Sequence, residues 1–151
     1  MPKNIDVVDE TVIDSPPSVV FKAILNEFAG VTHWWMPYLE SKLREGVPID
    51  REGAIVDITV HRRGVTSKFS YKFAKLVEGK SIESEFTGDY VGTGKWTFEP
   101  TNGKTKVLYR WNGRPKRLLA VIASQFMDMG ELHSDLIQKG FKALNNYLSR
   151  T

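Results

Sequence analysis

Apolar and polar side chains alternate most regularly through the middle of the chain. Ala54, Val56, Ile58 and Val60 alternate with Ile55, Asp57, Thr59 and His61. After Arg62-Arg63-Gly64, Phe69, Tyr71 and Phe73 alternate with Lys68, Ser70 and Lys72. The same period continues through Ile82, Ser84 and Phe86, then Gly94, Trp96 and Phe98, then Val107, Tyr109 and Trp111. A period of two marks strands with one buried face. Glu78-Gly79-Lys80 and Gly88-Asp89 punctuate the runs, and Asn102-Gly103 suits a type I′ hairpin turn, which needs positive φ at both positions. Five strands joined by short turns predict an antiparallel meander.

The flanks read differently. Ile5 to Ile13 predicts a further strand, with its inward parity open because Val7 and Val8 fit opposite faces. Ser15 is placed to cap a helix opening at Pro16, carrying Val19, Val20, Ala23, Ile24 and Phe28 and stopping near Gly30. A second short helix is predicted from Val31 to Trp35, ended by Pro37, and residues 37–52 read as a long surface loop. From Lys116 to Leu148 the period becomes helical, with Ile122, Phe126, Met129, Leu136, Ile137, Leu144, Tyr147 and Leu148 on one side and Asp128, Glu131, Asp135, Lys139 and Lys142 on the other. Such a stripe needs a partner, and the apolar sheet face is the large one available. The prediction is an α+β fold: a curved antiparallel sheet of about six strands wrapped around a long C-terminal helix, with two short helices after the first strand.

Composition narrows the classes without naming one. The 151 residues fit a single domain (1–151), and 41% hydrophobic with 26% charged residues is ordinary for a globular protein. The absence of cysteine removes disulfides, thiolate metal sites and a cysteine nucleophile. No apolar run approaches the roughly 18–20 residues of a membrane span, and the N-terminus lacks a secretory pattern, so a cytoplasmic protein without stable membrane insertion is expected. A net charge of +3 is too mild to imply nucleic acid. The basic residues Arg110, Arg114, Lys116 and Arg117, and Arg62-Arg63, read as a solvated surface or as an attraction for acidic partners.

Several motifs fail on inspection. Gly88 to Lys95 has the wrong spacing for a phosphate loop, and Trp96 stands where Ser or Thr is required. Gly92-x-Gly94 lacks a third glycine. His33, His61 and His133 are too dispersed for a zinc site, so no metal or cofactor is expected. There is no GxSxG elbow, and Asp57, Glu83 and Glu85 sit at outward parity.

Two readings of the inward aromatic face remain open. Phe69, Tyr71, Phe73, Phe86, Trp96, Phe98, Tyr109 and Trp111 either fill a solid core or wall a cavity, with Ser84 and Gly94 too small to fill the space beside them. His133 lies within the apolar stripe of the long helix, near Phe126 and Met129; it is either a satisfied core histidine or a group that meets a ligand. Trp34 and Trp35, with Tyr38 beyond them, are either core or the mouth of a cavity gated by residues 37–52.

Thr11-Val12-Ile13-Asp14-Ser15-Pro16-Pro17-Ser18-Val19-Val20-Phe21, Gly92 to Pro100 followed by Gly103 to Val107, and Gly140-Phe141-Lys142-Ala143-Leu144 resemble the first strand and helix, the last hairpin and the end of the long helix of the START-like (SRPBCC) superfamily, which has a helix-grip fold. The polyketide cyclase/dehydrase-like branch is similar in look. This resemblance implies a deep cavity between sheet and helix holding a hydrophobic small molecule; separately, a monomer or weak homodimer is expected. Binding of a lipid- or polyketide-like ligand is the leading expectation. A cyclase/aromatase using His133 for proton transfer, or a co-chaperone-like protein-binding module, are the alternatives.

Overall fold

The structure, a computed structural model, describes residues 4–62, 64–116 and 128–150. Its elements run β1 (Ile5–Ile13), α1 (Pro17–Phe28), β2 (Leu39–Leu43), β3 (Ile55–Arg62), β4 (Val65–Val77), β5 (Ser81–Gly88), β6 (Tyr90–Thr101), β7 (Lys104–Pro115) and α2 (Met129–Ser149). The strands form one antiparallel sheet in the order β1-β7-β6-β5-β4-β3-β2. The α+β helix-grip-like fold is the one the sequence predicts, with seven strands rather than six.

The extra strand is β2, inside the segment read as loop. Its sequence, Leu-Glu-Ser-Lys-Leu, has weak strand propensity, so pairing with β3 rather than local preference sets its conformation. The predicted helix at residues 31–35 is absent; the chain there runs in turns. The buried Glu27 carboxylate takes the Trp34 and Trp35 amide N–H groups (3.1 and 2.9 Å) and the Thr32 hydroxyl (2.8 Å). Those amides are thereby held by a side chain. Helix α1 also opens one residue later than predicted, with Pro17 in its first turn and no side-chain cap at Pro16. The Ser15 carbonyl instead accepts from Thr105 Oγ1 at 2.6 Å.

The parity of β1 is settled by burial. Ile13 is fully buried, whereas Val8 and Val12 are 55% and 51% exposed. The inward set includes the buried Asp9, whose carboxylate accepts from Ser134 Oγ of α2 at 3.1 Å. Asn102 and Gly103 take φ of 52° and 80°, as the hairpin reading required. On the outer face Arg110 grips Asp6 through two bonds of 3.0 and 2.7 Å, which holds the Asp6 carboxyl below the usual range. Arg44 does the same to Asp57, aided by the Ser70 hydroxyl.

Helix α2 begins at Asp128, whose carboxylate caps the Glu131 amide at 2.9 Å. Leu132, Leu136, Ile137, Gly140, Phe141 and Leu144 form its buried face. The earlier part of the predicted helix, with Ile122 and Phe126, and Arg117 of the basic cluster, lies outside the described residues. The remaining apolar stripe lies against the sheet, with Phe141 edge-on to Trp96.

Candidate functional site

Inward-facing rings from β4, β5, β6 and β7 converge beneath the N-terminal half of α2. Phe86 stacks on Trp111 (5.0 Å between centroids), Trp96 on Tyr109 (4.2 Å), and Phe69 on Tyr90 (6.0 Å). These rings fill most of the interior. What remains is a cavity of about 80 Å³ walled by Trp35, Phe69, Tyr71, Tyr90, Trp96, Tyr109, Trp111, Met129, Leu132 and His133, with Phe28, Leu39, Ile58, Val60, Ser67, Leu136 and Ile137 completing it. Among the described residues, a hollow is thus present between sheet and α2, where the resemblance implies one.

The polar tips on the wall are few and constrained. Trp111 Nε1 donates to the Tyr71 hydroxyl at 3.0 Å, and the Tyr71 and Tyr109 hydroxyls hydrogen-bond each other. Burial pushes the Tyr71 phenol up to about 12, and raises Tyr109 well above its ordinary value. Both are neutral donors and acceptors at any physiological pH. His133 lies against this group, its ring 4.6 Å from Trp111 and 5.8 Å from Tyr109.

Trp35 closes the cavity from the side. Its indole lies against Gly140, so closely that a Cβ at that position would collide with the ring. Its Nε1 donates to the Leu136 carbonyl at 3.2 Å, and its ring meets Trp96 edge-on at 6.4 Å. Trp34 stacks on the other side of Trp35, 5.5 Å away and nearly parallel. The two neighbours therefore do not diverge as residues of a helix would. Tyr38 lies outside, 37% exposed, beneath the Lys139 ammonium at 4.6 Å.

The structure thus brings Trp35, Phe69, Tyr71, Trp96, Tyr109, Trp111, Met129 and His133 onto one wall. It places Phe73 and Phe98 deeper, packed on Phe28 and Phe21 respectively. Phe86 lies behind Trp111. Ser84 donates to the Gly94 carbonyl at 3.3 Å, and the space left by Gly94 is taken by the Tyr109 hydroxyl rather than left hollow. Phe126 falls outside the described residues. Sequence reading missed Tyr90, although its parity with Gly94, Trp96 and Phe98 marks it as inward. It also missed Glu27, which only the fold connects to Trp34 and Trp35.

Among the described residues no group of three or more His, Cys, Asp or Glu is placed to hold a metal ion, and no helix is long and apolar enough to cross a membrane. Residues 4–149 match the family described as polyketide cyclase/dehydrase and lipid transport. The chain belongs to that family. Its fold is shared by Ara h 8.0201 (21% identity, TM-score 0.69, covering 99% of this chain and 100% of that one). It is shared too by the Zhui aromatase/cyclase from Streptomyces sp. R1128 (13% identity, TM-score 0.74, 98% and 95% covered). A START superfamily protein from Mycobacterium smegmatis also aligns (12% identity, TM-score 0.74, 96% and 97% covered). No curated protein matches the chain. At these identities the structural likenesses speak for the fold of this family member alone.

Proposed function

We propose that this family member encloses a hydrophobic or amphipathic small molecule between the sheet and α2. The observation that carries the reading is the aromatic wall itself, where rings with polar tips converge on a residual cavity instead of interlocking completely. Apolar burial at about 25 cal/mol per Å² supplies the affinity, and the tyrosine, tryptophan and histidine tips orient the guest. Trp35, Phe69, Tyr71, Trp96, Tyr109, Trp111, Met129 and His133 are the proposed contacts.

The cavity volume adds a condition. An engineered cavity of about 150 Å³ admits benzene, so even a single ring requires a wall residue to move here. Met129, an unbranched, adaptable side chain at the start of α2, is suited to it, whereas Trp35 would move only by giving up its bond to the Leu136 carbonyl. Native mass spectrometry of the purified protein, before and after extraction with organic solvent, tests the proposal. A co-purifying apolar molecule, with tryptophan fluorescence altered on its return, is the expected result. A bare chain whose fluorescence responds to no apolar compound would defeat it.

A catalytic version rests on His133, whose imidazole lies against Trp111 and Tyr109 on the wall. In it, His133 moves a proton on a folded, flexible chain held by the rings. Turnover of a linear polyketide analogue that His133→Ala abolishes while binding persists would establish this reading. Unchanged turnover would remove it.

A further inference from the structure

We infer that the cavity selects an uncharged apolar ligand bearing a hydrogen-bond acceptor of the ketone type, and that Tyr90 is the residue that reads the acceptor. This deepens the proposed function and rests on it.

Tyr90 is 3% exposed, lines the cavity, and its hydroxyl is buried without a hydrogen-bond partner. The other phenols on the wall already have partners, since the Tyr71 oxygen accepts from Trp111 and from Tyr109, whereas Tyr90 has none. A buried hydroxyl left unpaired costs about 1–3 kcal/mol, and native interiors hold few of them. Its position is fixed by neighbours: the ring stacks on Phe69 and meets Trp111 edge-on at 5.6 Å. A phenylalanine would pack in the same place without the penalty. The oxygen therefore makes sense as a donor awaiting an acceptor that arrives with the guest. A ligand hydroxyl would bring a second hydrogen needing its own acceptor, whereas a carbonyl brings none.

Charge on the guest is opposed twice. Among the described residues lining the cavity there is no Asp, Glu, Lys or Arg, so an ion entering would lose hydration without a counter-ion. The Asp89 carboxylate is also close enough to be felt at the Tyr90 hydroxyl. Together with burial, it raises that group to about 12. The same negative field disfavours a carboxylate guest.

Acetophenone and α-methylstyrene have nearly the same shape and differ in C=O against C=CH₂, so they isolate the acceptor. Dissociation constants measured by ligand-observed NMR should favour acetophenone about threefold to tenfold, the worth of one net hydrogen bond. Benzoate at neutral pH should bind at least about tenfold more weakly than acetophenone. In Tyr90→Phe the preference should vanish or reverse, because the ketone oxygen would then be buried without a donor, with α-methylstyrene binding kept within about twofold and the unliganded protein at least as stable in urea. Equal binding of the pair by the wild type, a preference that survives Tyr90→Phe, benzoate binding as tightly as the ketone, or a marked loss of unliganded stability would each overturn the assignment. If the pair binds equally, enclosure of small molecules stands and only the role of Tyr90 falls. If neither compound binds, enclosure falls with it.

Discussion

The interior has two ends built on different principles. At the end beneath α1, Phe21, Phe28, Phe73 and Phe98 pack edge to face, and Ile13, Val20, Ile24, Ile82 and Val107 close the gaps to full burial. At the end beneath the start of α2, tyrosine, tryptophan and histidine join Phe69 around the cavity, and space is left between them. All-hydrocarbon side chains can interlock to crystal-like density with nothing left to satisfy. Polar-tipped rings must first place their N–H and O–H groups, and that requirement holds them apart. One end is closed by hydrocarbon alone; the other keeps space between rings that carry polar tips.

The sharpest way to break the contrast is to cut equal volumes from each end. Phe73→Ala should cost about 3–5 kcal/mol in urea denaturation, because the site is 2% exposed and cannot collapse. Phe69→Ala, half-buried at the cavity, should cost about half as much or less. Equal losses would mean the two ends are one continuous core. Next in size comes Glu27, which connects α1 to the turn bearing both tryptophans. Glu27→Ala strips three donors of their acceptor and should destabilise by about 2–4 kcal/mol, with a shift of the tryptophan emission. A stability loss without any spectral change would show that the turn keeps its place unaided.

Gly140→Ala addresses the cavity end directly. The added methyl collides with the Trp35 indole, so the ring should move, the cavity should open, and stability should fall by about 1–3 kcal/mol. Raised affinity for apolar probes is the sharper sign, since simple destabilisation would lower it. The smallest effect belongs to pH. Tyr71 and Tyr109 have raised pKa values when folded, so the unfolded chain ionises first as pH rises. The stability they provide is whole below about pH 10 and should decline between there and pH 12, with phenolate absorbance appearing only as the protein unfolds. His133→Phe, by contrast, should alter affinity for a retained ligand more than stability. The reverse ordering would make the histidine a core residue.

The meander was legible because β3 to β7 each keep one apolar parity and the Asn102-Gly103 turn declares itself. What the pattern concealed were features fixed by distant partners. Strand β2 has no strand-like composition and exists because β3 offers it an edge. Residues 31–35 read as helix in the sequence, yet a buried carboxylate from α1 captures the Trp34 and Trp35 amides. Most instructive are Ser84 and Gly94. Small residues on an inward face suggested empty space, and the space is filled by a tyrosine reaching across from β7. Periodicity gives a residue's face but not which neighbour leans into it. For the same reason the aromatic wall was visible in outline, while its near closure by Trp35 against Gly140 was not.

The parallel stacking of Trp34 on Trp35 carries a spectroscopic consequence. Two indoles 5.5 Å apart and 8° from parallel have coupled transition dipoles, so their near-ultraviolet bands do not behave as those of isolated chromophores. Only Trp35 of the pair lines the cavity. Any occupant that swings Trp35 aside must uncouple the pair, and circular dichroism would register admission without an added dye.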